Sequence, residues 1–107
     1  MSTARELPVT GTFTVQDQVS APFKPSSTTG FPAPFNMAVW GTFSGNVITE
    51  RSFDRGVTWI QAKDKGTSVH SFGVPGVESD QECESDVWWR FKCATYNSGT
   101  IFYRLSQ

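Results

Sequence analysis

No stretch of this chain stays apolar for the ~20 residues that a helix needs to cross a bilayer. An excess of either charge is missing as well. Nine Lys and Arg face ten Asp and Glu, a net charge of −1, so nothing here is built to neutralise a nucleic-acid backbone. Histidine occurs once and cysteine twice, which is poor material for a zinc site wanting about four ligands. No cofactor or metal is expected. Apolar residues nowhere recur at the three-and-four spacing of an amphipathic helix, and no segment repeats. The first residues, Met1 to Leu7, lack the apolar core of a secretory signal, and with Met at position 1 they read as the start of an intact cytosolic product.

What is present is aromatic. Nine Phe and four Trp help bring the aromatic fraction to 14%, which suits a pleated, half-buried surface. A length of 107 residues allows one domain with a modest core. The organising stretch is Ser52-Phe53-Asp54-Arg55-Gly56-Val57-Thr58-Trp59, which reads S-x-D-x-G-x-T-W. It looks like an Asp-box, the hairpin signature repeated in the blades of sialidases and related propellers. Asp54 is placed to accept hydrogen bonds from backbone N–H groups of its own turn. Gly56 supplies a positive φ without strain. Ser52 ties its hydroxyl into the same loop, and Trp59 drops its ring beneath the hairpin. With one such box the chain is no propeller.

The strands read by alternation. Phe13 and Val15 share a face in a short early strand. From Asn36, residues Met37, Val39 and Phe43 face one way, and Ser44-Gly45-Asn46 signals a tight turn. Val47 to Phe53 enters the box, Val57 to Ala62 leaves it, and Ser68 to Val74 is a weaker strand. Then Val87, Trp89, Phe91 and Cys93 form one face of the most hydrophobic strand; Tyr96-Asn97-Ser98-Gly99 turns it, and Ile101, Tyr103 and Leu105 complete the core. Seven short strands predict an all-β fold, a compact antiparallel β-sandwich of jelly-roll or Ig-like type.

Residues 20–35 differ from the rest. Four prolines bar regular pairing there, while Phe23, Phe31 and Phe35 add large apolar side chains. The expected division is an extended N-terminal arm over 1–35 and a sandwich domain over 36–107. Phe13, Val15, Phe23, Phe31 and Phe35 are then either packed on the domain's own flank or anchors in a neighbouring subunit. Residues 78–86 carry five carboxylates and read as an acidic loop. Cys93 reads as a small buried hydrophobe, with a Cys83–Cys93 bridge as the alternative.

Three segments together carry a resemblance: G-T-F-S-G-x-V at 41–47, E-R-S-F-D-x-G-x-T-W at 50–59, and W-R-F-K-C-x-x-Y-x-S-G-T-I-x-Y-R-L-S-Q at 89–107. Over residues 36–107 the chain resembles small structural proteins of tailed bacteriophages. That resemblance implies a virion component assembled in the host cytoplasm. The role it suggests first is a capsid decoration (cement) protein on the capsid surface. Its partners would be the major capsid protein, other virion proteins and further copies of itself, with no nucleic acid and no membrane. A head–tail connector or tail accessory role is the alternative within the family. Outside it stands a carbohydrate-binding module, with Trp40, Trp88 and Tyr96 opposite the inferred core. Enzyme chemistry of the sialidase kind needs an arginine cluster, a nucleophile pair and a full propeller. Arg51, Arg55, Arg90 and Arg104 come without that frame, so no catalytic residues are expected.

Overall fold

The computed structural model describes residues 7–27 and 29–107; the remainder of the predicted arm, residues 1–6 and Thr28, lies outside the described residues. Alternating β-branched and aromatic residues produce nine strands. They are β1 (Val9–Phe13), β2 (Ala33–Trp40), β3 (Phe43–Ser52), β4 (Ile60–Gln61), β5 (Lys63–Asp64), β6 (Thr67–Ser68), β7 (Gly76–Glu82), β8 (Trp88–Gly99) and β9 (Ile101–Ser106). No helix occurs among the described residues. One antiparallel sheet has the order β1-β9-β2-β7 and a second the order β4-β3-β8, while β5 and β6 form a separate hairpin. Residues 19–23 run along the free side of β8 through bridges from Val19 to Lys92 and Phe23 to Trp89. Phe72 bridges Val47 of β3 in the same way.

Period-two alternation decides which side chains face inward. Phe35, Met37 and Val39 of β2 join Ile101, Tyr103 and Leu105 of β9 in the core, as do Trp89, Phe91 and Cys93 of β8. The two sheets meet through their rings. Phe35 packs edge-on against Trp89 at 4.8 Å, and Phe91 against Tyr103 at 5.9 Å. Offset and edge-on pairs of this kind add roughly 0.5–1.5 kcal/mol each beyond the area they bury.

The chain changes sheet twice at one corner. β2 leads into β3 through Gly41 and Thr42, and β8 leads into β9 through Thr100 alone. The Thr100 N–H donates to the Thr42 carbonyl at 3.1 Å, locking the two crossings side by side. Gly41 and Gly99 hold φ of +111° and +91°, and a Cβ on Gly99 would lie 2.1 Å from the Thr42 oxygen. No other residue fits either place.

Several expectations need correction. The expected boundary at 35/36 falls inside β2, and the arm is part of the fold. β1 is a full member of the first sheet, and Phe13, Phe23 and Phe35 are buried in this chain's own core. Phe31 is half-buried and Val15 is exposed. Prolines misled here because Pro22 and Pro25 flank the hydrogen-bonding residue rather than occupy it. Phe23 exchanges both backbone bonds with Trp89, at 2.7 and 2.8 Å. Gln107 pins the following loop, accepting from the Ser26 N–H and donating to the Ser26 and Pro34 carbonyls. The predicted acidic loop is in its first half strand β7. Ser44-Gly45-Asn46 is a pair of register shifts within β3, and Tyr96-Asn97-Ser98-Gly99 is the end of β8. Cys83 and Cys93 are both free thiols, the second buried.

A chain beginning at Asn36 would lose β1, Phe13, Phe23 and Phe35 from the core. It is expected to show no cooperative thermal transition by circular dichroism. A sharp melt from that truncated chain would re-establish a separable arm.

Candidate functional site

The stretch over residues 52–59 closes through its own side chains. Asp54 Oδ1 accepts from the Thr58 N–H and the Ser52 hydroxyl, both at 2.8 Å, while Ser52 Oγ accepts from the Gly56 N–H at 2.8 Å. Arg55 and Gly56 both take positive φ, +58° and +88°. These donors hold the Asp54 carboxyl below its ordinary value, the Thr58 backbone N–H first and Ser52 next. Trp59 departs from expectation: its ring is half-buried and lies back along the turn, donating to the Gly56 carbonyl at 3.1 Å. The guanidinium of Arg90 covers it at 4.2 Å, and Arg90 in turn donates to Glu50 at 2.8 Å. The turn therefore rests on polar neighbours and not on the core.

The carboxylates of β7 are sorted by alternation. Glu78 and Asp80 stand opposite Met37 and Phe35 in register, so they share the inward face of an edge strand with Glu82. His70 lies between two of them, with Nδ1 2.5 Å from Glu78 Oε1 and Nε2 2.8 Å from Asp80 Oδ2. Glu82, only 1% exposed, accepts from Arg51 Nη2 at 2.6 Å, Arg51 Nε at 3.1 Å and Trp89 Nε1 at 2.9 Å. Its second oxygen accepts from the Glu84 N–H at 3.1 Å. Because Arg51 and His70 come from the β3 side and the carboxylates from β7, these pairs stitch the two sheets along one open side.

That stitching decides what the charged residues can do. Arg51, Arg55 and Arg90 each hold a carboxylate of this chain, the Arg55–Asp86 pair in open solvent. Both ring nitrogens of His70 face carboxylates, Nδ1 that of Glu78 and Nε2 that of Asp80. Burial, with Asp17 adding a smaller effect, pushes the Cys93 thiol up, away from the reactive thiolate. Among the described residues no group of three His, Cys, Asp or Glu is placed to hold a metal ion.

Surface remains. Of the three aromatics expected to face outward, Trp88 is half-buried under the Lys24 ammonium at 4.4 Å, beside a shallow cleft of about 290 Å³. Tyr96 donates its hydroxyl to the Gly99 carbonyl at 2.6 Å. Only Trp40 presents an open ring. It stacks on Phe102 across the β2–β9 ladder, with centroids 5.8 Å apart and planes within 15°. The two are 44% and 39% exposed. The next rung of the same outer face carries Thr10, Arg104, Ala38 and Val77. Phe102 was legible from sequence by parity alone, since Ile101 and Tyr103 face inward. The Arg51–Glu82 pair, thirty-one residues apart, left no local signal. Compared with family models, with curated proteins and with solved structures, the chain finds no match in any of the three.

Two outcomes follow from the polar network. Arg51→Met strands a buried carboxylate and is expected to cost about 3 kcal/mol in a denaturant melt. Adding Glu82→Gln, which keeps an acceptor for Trp89 without the charge, should recover more than half of that loss. Separately, Asp54 has a lowered folded pKa, so its contribution is present above the ordinary aspartate range and lost as pH falls through the lower folded value. The Thr58 amide resonance should titrate with a midpoint below that of a free aspartate. A midpoint at or above the free value would contradict the hydrogen bonds described.

Proposed function

We propose that this chain is a non-enzymatic structural protein of a tailed-phage virion, a decoration protein that binds the major capsid protein shell from outside and stabilises the head. The carrying observation is the outer face of the β1-β9-β2-β7 sheet, where Trp40 and Phe102 stand side by side in solvent on regular strands. Paired exposed aromatics on a rigid sheet present rigid area at low entropic cost, the composition of an interface core. The resemblance over residues 36–107 supports the same role independently of that face.

Strand order supports a jelly-roll type of sandwich. Counting residues 19–23 as a strand and setting aside the β5–β6 hairpin, eight strands run in sequence. The first sheet then reads first, eighth, third, sixth, and the second reads second, seventh, fourth, fifth. That interleaving is the double Greek key of jelly rolls, an architecture frequent in viral capsid proteins and in lectins. The association is one of fold, and function rests on the surface. Docking is assigned to the sheet face and not to phenylalanine anchors in an arm, because Phe13, Phe23 and Phe35 are spent in the core.

One observation favours a second reading. Stacked Trp40 and Phe102 next to Arg104 would also suit a sugar ring with an anionic substituent, as in a carbohydrate-binding module. Trp40→Ala with Phe102→Ala separates the two. Thermal stability should fall little, and occupancy on purified heads, read by cryo-electron microscopy, should drop at least about tenfold. Undiminished head binding by the double variant would overturn the assignment. Glycan-array binding abolished by the same change, with no head binding by either form, would install the second reading.

A further inference from the structure

The two sheets that enclose the core have four edges between them, and three of the four are defended. β7 points Glu78, Asp80 and Glu82 inward from its edge position, a device that penalises addition of a foreign strand. On the second sheet, residues 19–23 form an edge broken by Pro22, and β4 is only two residues long. The fourth edge, β1, is different. Val9-Thr10-Gly11-Thr12-Phe13 is regular, carries no charge and no proline, and among the described residues nothing pairs with its outer side.

We infer that β1 pairs antiparallel with β1 of a second copy of this chain about a two-fold axis at Gly11, joining two four-stranded sheets into one of eight. The sequence is self-complementary in that register. Val9 falls opposite Phe13 on the inner face and Thr10 opposite Thr12 on the outer, with no like charges opposed. Beyond the two ends of the strand, Leu7 and Val15 are 81% and 58% exposed, apolar side chains that a lone chain leaves in water. The outer faces also become continuous. The row Trp40–Phe102–Thr12 of one copy runs on into Thr10–Arg104–Ala38–Val77 of the other. This symmetric contact is isologous and closes on itself, so it yields a dimer and not a fibre. It stands whether or not the partner of the outer face is a capsid.

The test uses the full chain. Sedimentation velocity of the wild type should show a concentration-dependent dimer. Thr10→Glu with Thr12→Glu sets carboxylates opposite one another across the axis and should raise the dissociation constant at least about tenfold. Thr10→Lys with Thr12→Lys should do the same. Mixing the acidic and basic variants should restore a dimer, since each charge at 10 then meets its opposite at 12 of the other copy. Both positions are solvent-facing, so circular dichroism should report an unchanged fold; if one variant fails to fold, the other against wild type still decides. A wild type that stays monomeric up to about 1 mM would overturn the inference. So would a dimer indifferent to both charge sets, or one weakened by each set but not restored on mixing.

Discussion

β8 and β9 are joined by a single residue, Thr100, yet they lie in different sheets. That corner is the constraint on which the rest depends. It folds Ile101, Tyr103 and Leu105 back over Phe91 and Cys93, so the two most hydrophobic strands become the facing halves of the core. The corner works only because a second crossing, Gly41–Thr42, sits against it and supplies the Thr42 carbonyl. With both sheets fixed at one end, the opposite side must be closed by whatever the edge strands carry. There it is closed by polar side chains: Arg51 on Glu82, and His70 between Glu78 and Asp80.

This arrangement explains which parts of the fold were legible in the sequence. Strands β2, β8 and β9 could be read with the right faces because each has one side in the core and one in water, which imposes period-two alternation. Their distribution between sheets could not be read, since one residue at Thr100 leaves no signature of a crossing. The turn over residues 52–59 was legible for the opposite reason. Among the main strands β3 to β4 is the only connection that stays within one sheet, so local turn chemistry alone determines it. Elsewhere consecutive strands alternate between sheets, and partners such as Phe23 and Trp89 meet across sixty-six positions.

The misreadings share a physical cause. Charge was taken as a mark of solvent, but on β7 it faces inward because an edge strand beside Arg51 and His70 can satisfy it there. Proline was taken as a mark of irregularity, but near residue 23 it brackets one well-bonded residue. Trp59 was expected to lie as an apolar ring beneath the hairpin, and the structure instead sets Arg90 over it, a cation on the ring in place of apolar packing.

The same constraint limits where function can reside. A core filled by Phe13, Phe35, Phe91, Trp89 and Tyr103 packs ring against ring, with neighbouring centroids 4.5–5.9 Å apart. Arg51 and His70 are engaged with carboxylates of β7 and link the two sheets. What the fold leaves for a partner is the outside of the β1-β9-β2-β7 sheet and its uncharged β1 edge. These are adjacent surfaces, since Thr10 and Thr12 belong to both. A contact made at the edge therefore extends the face, and a partner of the face would meet twice the aromatic area on a pair of chains. Affinity for a repetitive surface gains from that doubling without any new kind of contact, provided the spacing of the two copies matches the spacing of the sites.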